Sequence, residues 1–152
     1  MVDLSWCKKQ KNGIKFIKPS DNLSKEYFKY IGETLSVLGG IECKSNMWLA
    51  TSKYYSEYFC AYSILMKIGI KCEIHDCTIG LCKLLEKEGI LFDGFAKTLE
   101  EDKELRIDNQ YYLKNRKVKI DNDALTEFLL RTKEILNRLN YDMINKIRGL
   151  LE

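Results

Sequence analysis

The chain has 152 residues, 45% of them hydrophobic and 31% charged, with a formal net charge of +3. That length supports one domain with a real core, and the charge is too small to argue for nucleic acid by itself. The N-terminus MVDLSWCKKQK carries charge where a secretory leader needs an apolar segment. The longest apolar run, around Tyr58 to Met66, falls well short of the roughly 20 residues of a membrane span. The expectation is a cytoplasmic protein with no membrane partner.

A single proline, together with many Lys, Glu and Leu, leans toward helix. Residues 1–20 read as a short irregular arm, in which Ile14 and Phe16 alternate with Lys15 in a small extended piece. Pro19 followed by Ser20, Asp21 and Asn22 is a helix-start signal. A helical bundle then fills residues 21–152 as one domain. Its first helix carries Tyr27, Ile31, Leu35 and Leu38 on one face, with Gly39 and Gly40 weakening its end. Ser45 and Asn46 offer caps for the next helix.

That helix, from Asn46, is apolar nearly all round. Trp48, Tyr55, Phe59, Tyr62 and Met66 form one stripe, and Met47, Tyr54, Tyr58, Ala61 and Leu65 form another. Such a helix is packed by several neighbours. Gly69 is its natural stop. The link IKCEI leads to His75, the only histidine in the chain. Asp76 follows as a candidate cap for a third helix ending near Gly89. A fourth, short helix is expected over about Phe92 to Leu105.

Residues Arg106 to Asp123 lack helical periodicity and read as a long loop. The loop carries Tyr111 and Tyr112 beside Lys114, Arg116, Lys117 and Lys119. Aromatics next to bases can stack on a nucleobase and hold phosphate, although two tyrosines packed on a bundle are commoner. Asp121, Asn122 and Asp123 cap a last helix running through Leu136 and Leu139 to Ile147. The fold class is therefore all-α, an antiparallel bundle of four main helices plus a short one.

The six cysteines, Cys7, Cys43, Cys60, Cys72, Cys77 and Cys82, read as reduced thiols acting as small apolar residues. No CxxC pair occurs. Cys77 and Cys82 lie about 140° apart on a helix, so they do not face one metal. No metal and no cofactor is expected. His75 at a helix start is most often a hydrogen-bonded structural residue. The helix dipole there keeps it neutral near pH 7, which suits a catalytic base equally well. Tyr54 and Tyr55 read as core, with a groove beside His75 as the other option.

KYYSEYFCAYSILMKIGIKCEIHDCTI (Lys53 to Ile79) and LRIDNQYYLKNRKV (Leu105 to Val118) resemble HEPN domains. The lead-in GIKFIKPSDNLSKEY is similar to their archaeal branch. The likeness spans about Gly13 to Leu139 and is a pattern of sizes and caps more than a rigid motif. It is closest in character to stand-alone HEPN proteins encoded beside a minimal nucleotidyltransferase. The resemblance implies a helical bundle, commonly dimeric, with two functional possibilities. One is an interaction protein: a toxin or substrate-binding subunit that partners the nucleotidyltransferase and contacts nucleotide or RNA. The other is a metal-independent ribonuclease using Arg-x(4–6)-His, the His acting toward the 2′-hydroxyl and the Arg on phosphate charge. No arginine precedes His75 at that spacing. The cation must then come from Arg106, Arg116 or Lys71 in space, or from a second subunit.

Overall fold

The computed structural model describes all residues from Met1 to Glu152. It is an all-α bundle of seven helices with one two-stranded ribbon. The helices are α1 (Leu4–Lys9), α2 (Asp21–Ile41), α3 (Asn46–Ile68), α4 (His75–Lys87), α5 (Phe95–Gln110), α6 (Asn122–Arg138) and α7 (Tyr141–Leu151). Strands β1 (Lys15–Phe16) and β2 (Ile70–Lys71) form the ribbon.

Local chemistry sets most helix ends. The Ser20 hydroxyl accepts from the Leu23 amide at 3.1 Å and opens α2. Ser45 does the same for Trp48 at 3.2 Å and opens α3. The Asp121 carboxylate accepts from Ala124 at 3.0 Å and opens α6. At the far end of α3, Gly69 adopts φ +86 and its amide returns to the Leu65 and Met66 carbonyls. A Cβ here would also sit 2.4 Å from Arg148 and 2.6 Å from the Ile17 carbonyl, so only glycine fits.

Helix α3 is the axis of the molecule. It packs against α2, α5, α6 and α7. Tyr54, Ile64, Leu65 and Ile68 on it are all but inaccessible to solvent. Its first turn is less enclosed than the sequence implies, because Trp48 stands 57% exposed. No helix is long and apolar enough to cross a membrane.

Four sequence expectations change. First, residues 1–20, expected as an irregular arm with an extended piece laid on the domain, also hold helix α1 and contribute to the core. Lys15 and Phe16 pair antiparallel with Lys71 and Ile70. Cys7 and Ile14 lie in the main core cluster. Val2 and Leu4 lie so close to Gly80 that a Cβ there would be 2.8 and 3.1 Å from them. Second, Cys7 and Cys77 are joined in a disulfide, so two of the six thiols are not free. Cys60, Cys72 and Cys82 are free and buried, and Cys43 is free and exposed. Third, α2 runs unbroken through Gly39 and Gly40, both of which face open space. Fourth, the last predicted helix is two. Asn140 takes an extended backbone and caps α7 by accepting from Met143 at 2.9 Å.

Candidate functional site

His75 is the first residue of α4. It lands against the aromatic side of α3. Its ring stacks on Tyr58 with centroids 4.3 Å apart and planes 9° from parallel. Tyr54 stacks behind it at 5.6 Å, and Tyr55 meets it edge-on at 6.1 Å. The Tyr54 hydroxyl and His75 Nδ1 share a hydrogen bond of 2.7 Å. The ring is half-buried, while Tyr54 is fully buried.

Arg106 reaches the same tyrosines from α5. Its guanidinium carbon lies 5.1 Å from the Tyr54 ring centre and 5.7 Å from that of Tyr55. One terminal nitrogen donates to the Gln110 side chain at 3.1 Å. Nε is buried without a partner, although only 9% of the residue is exposed. A buried donor with nothing to bond is costly in a resting fold and calls for a partner from outside the chain, water included. The structure thus brings the two predicted catalytic residues, His75 and Arg106, to one tyrosine. They are 31 positions apart in a chain that lacks the expected sequential motif.

Arg106 lies on α5, not in a loop, because that helix continues five residues past Leu105. The periodicity is hidden there because Asp102, Arg106, Asp108 and Asn109 are buried polar residues on the inward face. Asp76 also departs from its expected role. No side chain caps α4. Asp76 instead accepts a charge-assisted hydrogen bond from Lys103.

Burial holds the His75 imidazolium down, and the Arg106 and Lys103 charges add to that against Asp76, placing the pKa at about 4. The ring is neutral at pH 7. An unfolded chain protonates its histidine near pH 6.5, so the folded state binds fewer protons below that value. His75 therefore costs nothing above about pH 6.5, and stability is lost as pH falls from there to about 4. The loss totals about 3 kcal/mol unscreened and about half that at a half-exposed ring. His75→Gln is expected to remove this part of the acid sensitivity. Denaturant midpoints at about pH 7.5 and about pH 4.5 check it.

Beneath the tyrosines lies a charged cluster that the sequence did not single out. Lys53 Nζ donates to Glu57 at 3.0 Å and also to Asp102. Burial, with Asp102 beside it, drives the Glu57 carboxyl well up. For Lys53, burial is outweighed by the two carboxylates and the ammonium is held above its ordinary value. Lys53 and Tyr54 are neighbours on α3, and Asp102 and Arg106 are one turn apart on α5. The ion pairs therefore fix the register that sets Arg106 over Tyr54.

The predicted binding loop is smaller than expected, spanning Tyr111 to Asp121. The Asn109 side chain clasps the Arg116 backbone, accepting from its amide at 2.6 Å and donating to its carbonyl at 3.0 Å. Lys114 and Arg116 are both spent on Asp108, at 3.0 and 2.7 Å. Lys117 and Lys119 are exposed. Tyr111 and Tyr112 stand 65% and 67% exposed, so they are not bundle packing. None of these six residues hydrogen-bonds, ion-pairs or stacks with His75 or Arg106.

No family model, no curated protein and no solved structure matches this chain.

Proposed function

We propose that this chain is a HEPN-type interaction protein that takes the phosphate of an RNA or nucleotide at Tyr54, His75 and Arg106. It serves as toxin or substrate-binding subunit to a minimal nucleotidyltransferase, as a homodimer. The observation that supports the reading is that Arg106 and His75 both reach Tyr54. It supplies in space the cation that the resemblance requires and the local sequence lacks. A guanidinium on a rigid aromatic bed is well suited to phosphate, since little side-chain freedom is lost on binding. Tyr111, Tyr112, Lys117 and Lys119 form a separate exposed patch to which a strand could extend. The protein belongs in the cytoplasm on this reading, with Cys7 and Cys77 fully buried from cellular thiols.

A second reading, the metal-independent ribonuclease, draws on the same pair. A neutral imidazole beside a fixed cation can take a proton from a 2′-hydroxyl. Two measurements separate the readings. Binding of adenosine monophosphate or a short RNA in EDTA is expected to weaken at least tenfold in Arg106→Ala, the usual worth of a hydrogen bond to a charged group. Cleavage of end-labelled RNA in EDTA that vanishes in a folded His75→Ala variant favours the enzyme. Wild-type protein that neither binds nor cleaves overturns both.

A further inference from the structure

The hydroxyl of Tyr54 sits on a residue with 0% exposure, so water cannot accept its proton. Burial pushes its ionisation far above the ordinary tyrosine range, against the opposing Arg106 charge, so the phenol keeps that proton. A buried O–H needs an acceptor, and His75 Nδ1, at 2.7 Å, is the one it has. Nδ1 of His75 must then be unprotonated. A neutral imidazole with a bare Nδ1 carries its hydrogen on Nε2. The opposite arrangement, Nδ1–H donating to the phenol oxygen, would strand the phenol proton in the core at a cost of about 1–3 kcal/mol.

We infer that Tyr54 fixes His75 as the Nε2–H tautomer, so that His75 and Arg106 act as paired hydrogen-bond donors to a phosphate oxyanion. With Nδ1 occupied by a buried hydroxyl, the ring's remaining accessible edge is the one that bears Nε2. Stacking on Tyr58 holds that edge in place. The donor set is completed by Arg106, whose guanidinium commits only one terminal nitrogen, to Gln110, and keeps the other free. No basic nitrogen is left on His75 to accept a proton from a 2′-hydroxyl. The site recognises phosphate without activating a nucleophile, and Tyr54 is its positioning residue. This rests on the phosphate-site reading above and narrows it toward binding.

Long-range proton–nitrogen correlation spectra of the wild-type protein at neutral pH read the tautomer directly. The expected spectrum shows a protonated Nε2 and an unprotonated Nδ1. In Tyr54→Phe, which keeps the ring and loses the donor, both tautomers are expected. Inorganic phosphate added to the wild type is expected to shift the Nε2 signal, at least tenfold less readily in Arg106→Ala. A wild-type spectrum with hydrogen on Nδ1 overturns the inference and leaves the phosphate-site reading standing. An Nε2–H spectrum indifferent to inorganic phosphate, adenosine monophosphate and short RNA overturns the phosphate site itself.

Discussion

Replacing Lys53 by methionine is expected to cost about 3–5 kcal/mol of stability, the penalty for removing one partner of a buried ion cluster. The ammonium is the sole cation between Glu57 and Asp102, whose side chains are only 3% and 12% exposed. Methionine fills the space of the stem but leaves two carboxylates facing each other in the core. Glu57 Oε2 has no partner even in the native protein. Relief comes by protonation of Glu57, whose carboxyl burial already pushes up, with Asp102 adding to the push. A carboxyl whose folded pKa is raised stabilises the fold below its unfolded value and loses that contribution as pH rises through the folded one. The variant's deficit should therefore shrink in mild acid and grow toward alkaline pH. Guanidinium titrations across that range measure it. A deficit independent of pH would show that Glu57 does not carry the proton. Combining Lys53→Met with Glu57→Leu and Asp102→Leu removes all three charges and is expected to restore much of the loss. Because the cluster sets the register of α5 on α3, the single variant should also weaken the phosphate binding proposed at Arg106.

What the sequence made legible follows the range of the interactions involved. Ser20, Ser45, Asp121 and Gly69 mark helix ends through hydrogen bonds to residues three or four positions away, and each is found where the pattern puts it. The apolar face of α3 is equally local and equally readable. The second half of α5 is not. Hydropathy patterns assume that inward residues are apolar, and Asp102, Arg106, Asp108 and Asn109 break that assumption; three of them are answered by polar groups that lie elsewhere in the chain. Lys53 answers Asp102, Arg116 answers Asp108, and the Arg116 backbone answers Asn109. Those pairings are invisible until α3 and the loop after α5 are in place.

The site divides the same way. His75 is identifiable as the lone histidine at a helix start. Its relation to Arg106 depends on α4 packing on α5 while His75 and Arg106 both reach Tyr54 of α3. The signal available beforehand was the need for a cation near His75 in a chain whose local spacing provides none. The fate of Lys114 and Arg116 could not be read, since Asp108 lay inside what read as a long loop. The N-terminal segment was legible in part: the extended piece around Lys15 is strand β1, while helix α1 and the partner strand were not readable, because Lys71 is 56 positions from Lys15.

The covalent tie of that segment yields the other large effect. Cys7→Ser with Cys77→Ser is expected to lower stability by up to about 4 kcal/mol, the loop-closure entropy returned to the unfolded chain. The size follows from the sequence separation of 70 residues between the two cysteines. Both are fully buried, so the serines add a modest burden of unpaired hydroxyls. Only one end of the N-terminal segment should come loose. Strand β1 stays paired with β2, and Arg148 still donates to the Ile17 carbonyl at 2.9 Å and the Gly69 carbonyl at 2.7 Å. Helix α1, with six residues, is held otherwise only by its contact with α4 and by hydrogen bonds from Ile14 and Lys15 to the Cys7 and Lys8 carbonyls. Amide hydrogen exchange is therefore expected to rise across Leu4–Lys9 and the first turn of α4, and to stay slow in α3. Since Cys77 lies two residues beyond His75, the same change should loosen the imidazole on Tyr58 and weaken the phosphate binding proposed there. Wild-type protein unfolded in denaturant should titrate four thiols, and six only after reduction. Six thiols without reductant would dismiss the disulfide, and the stability argument with it.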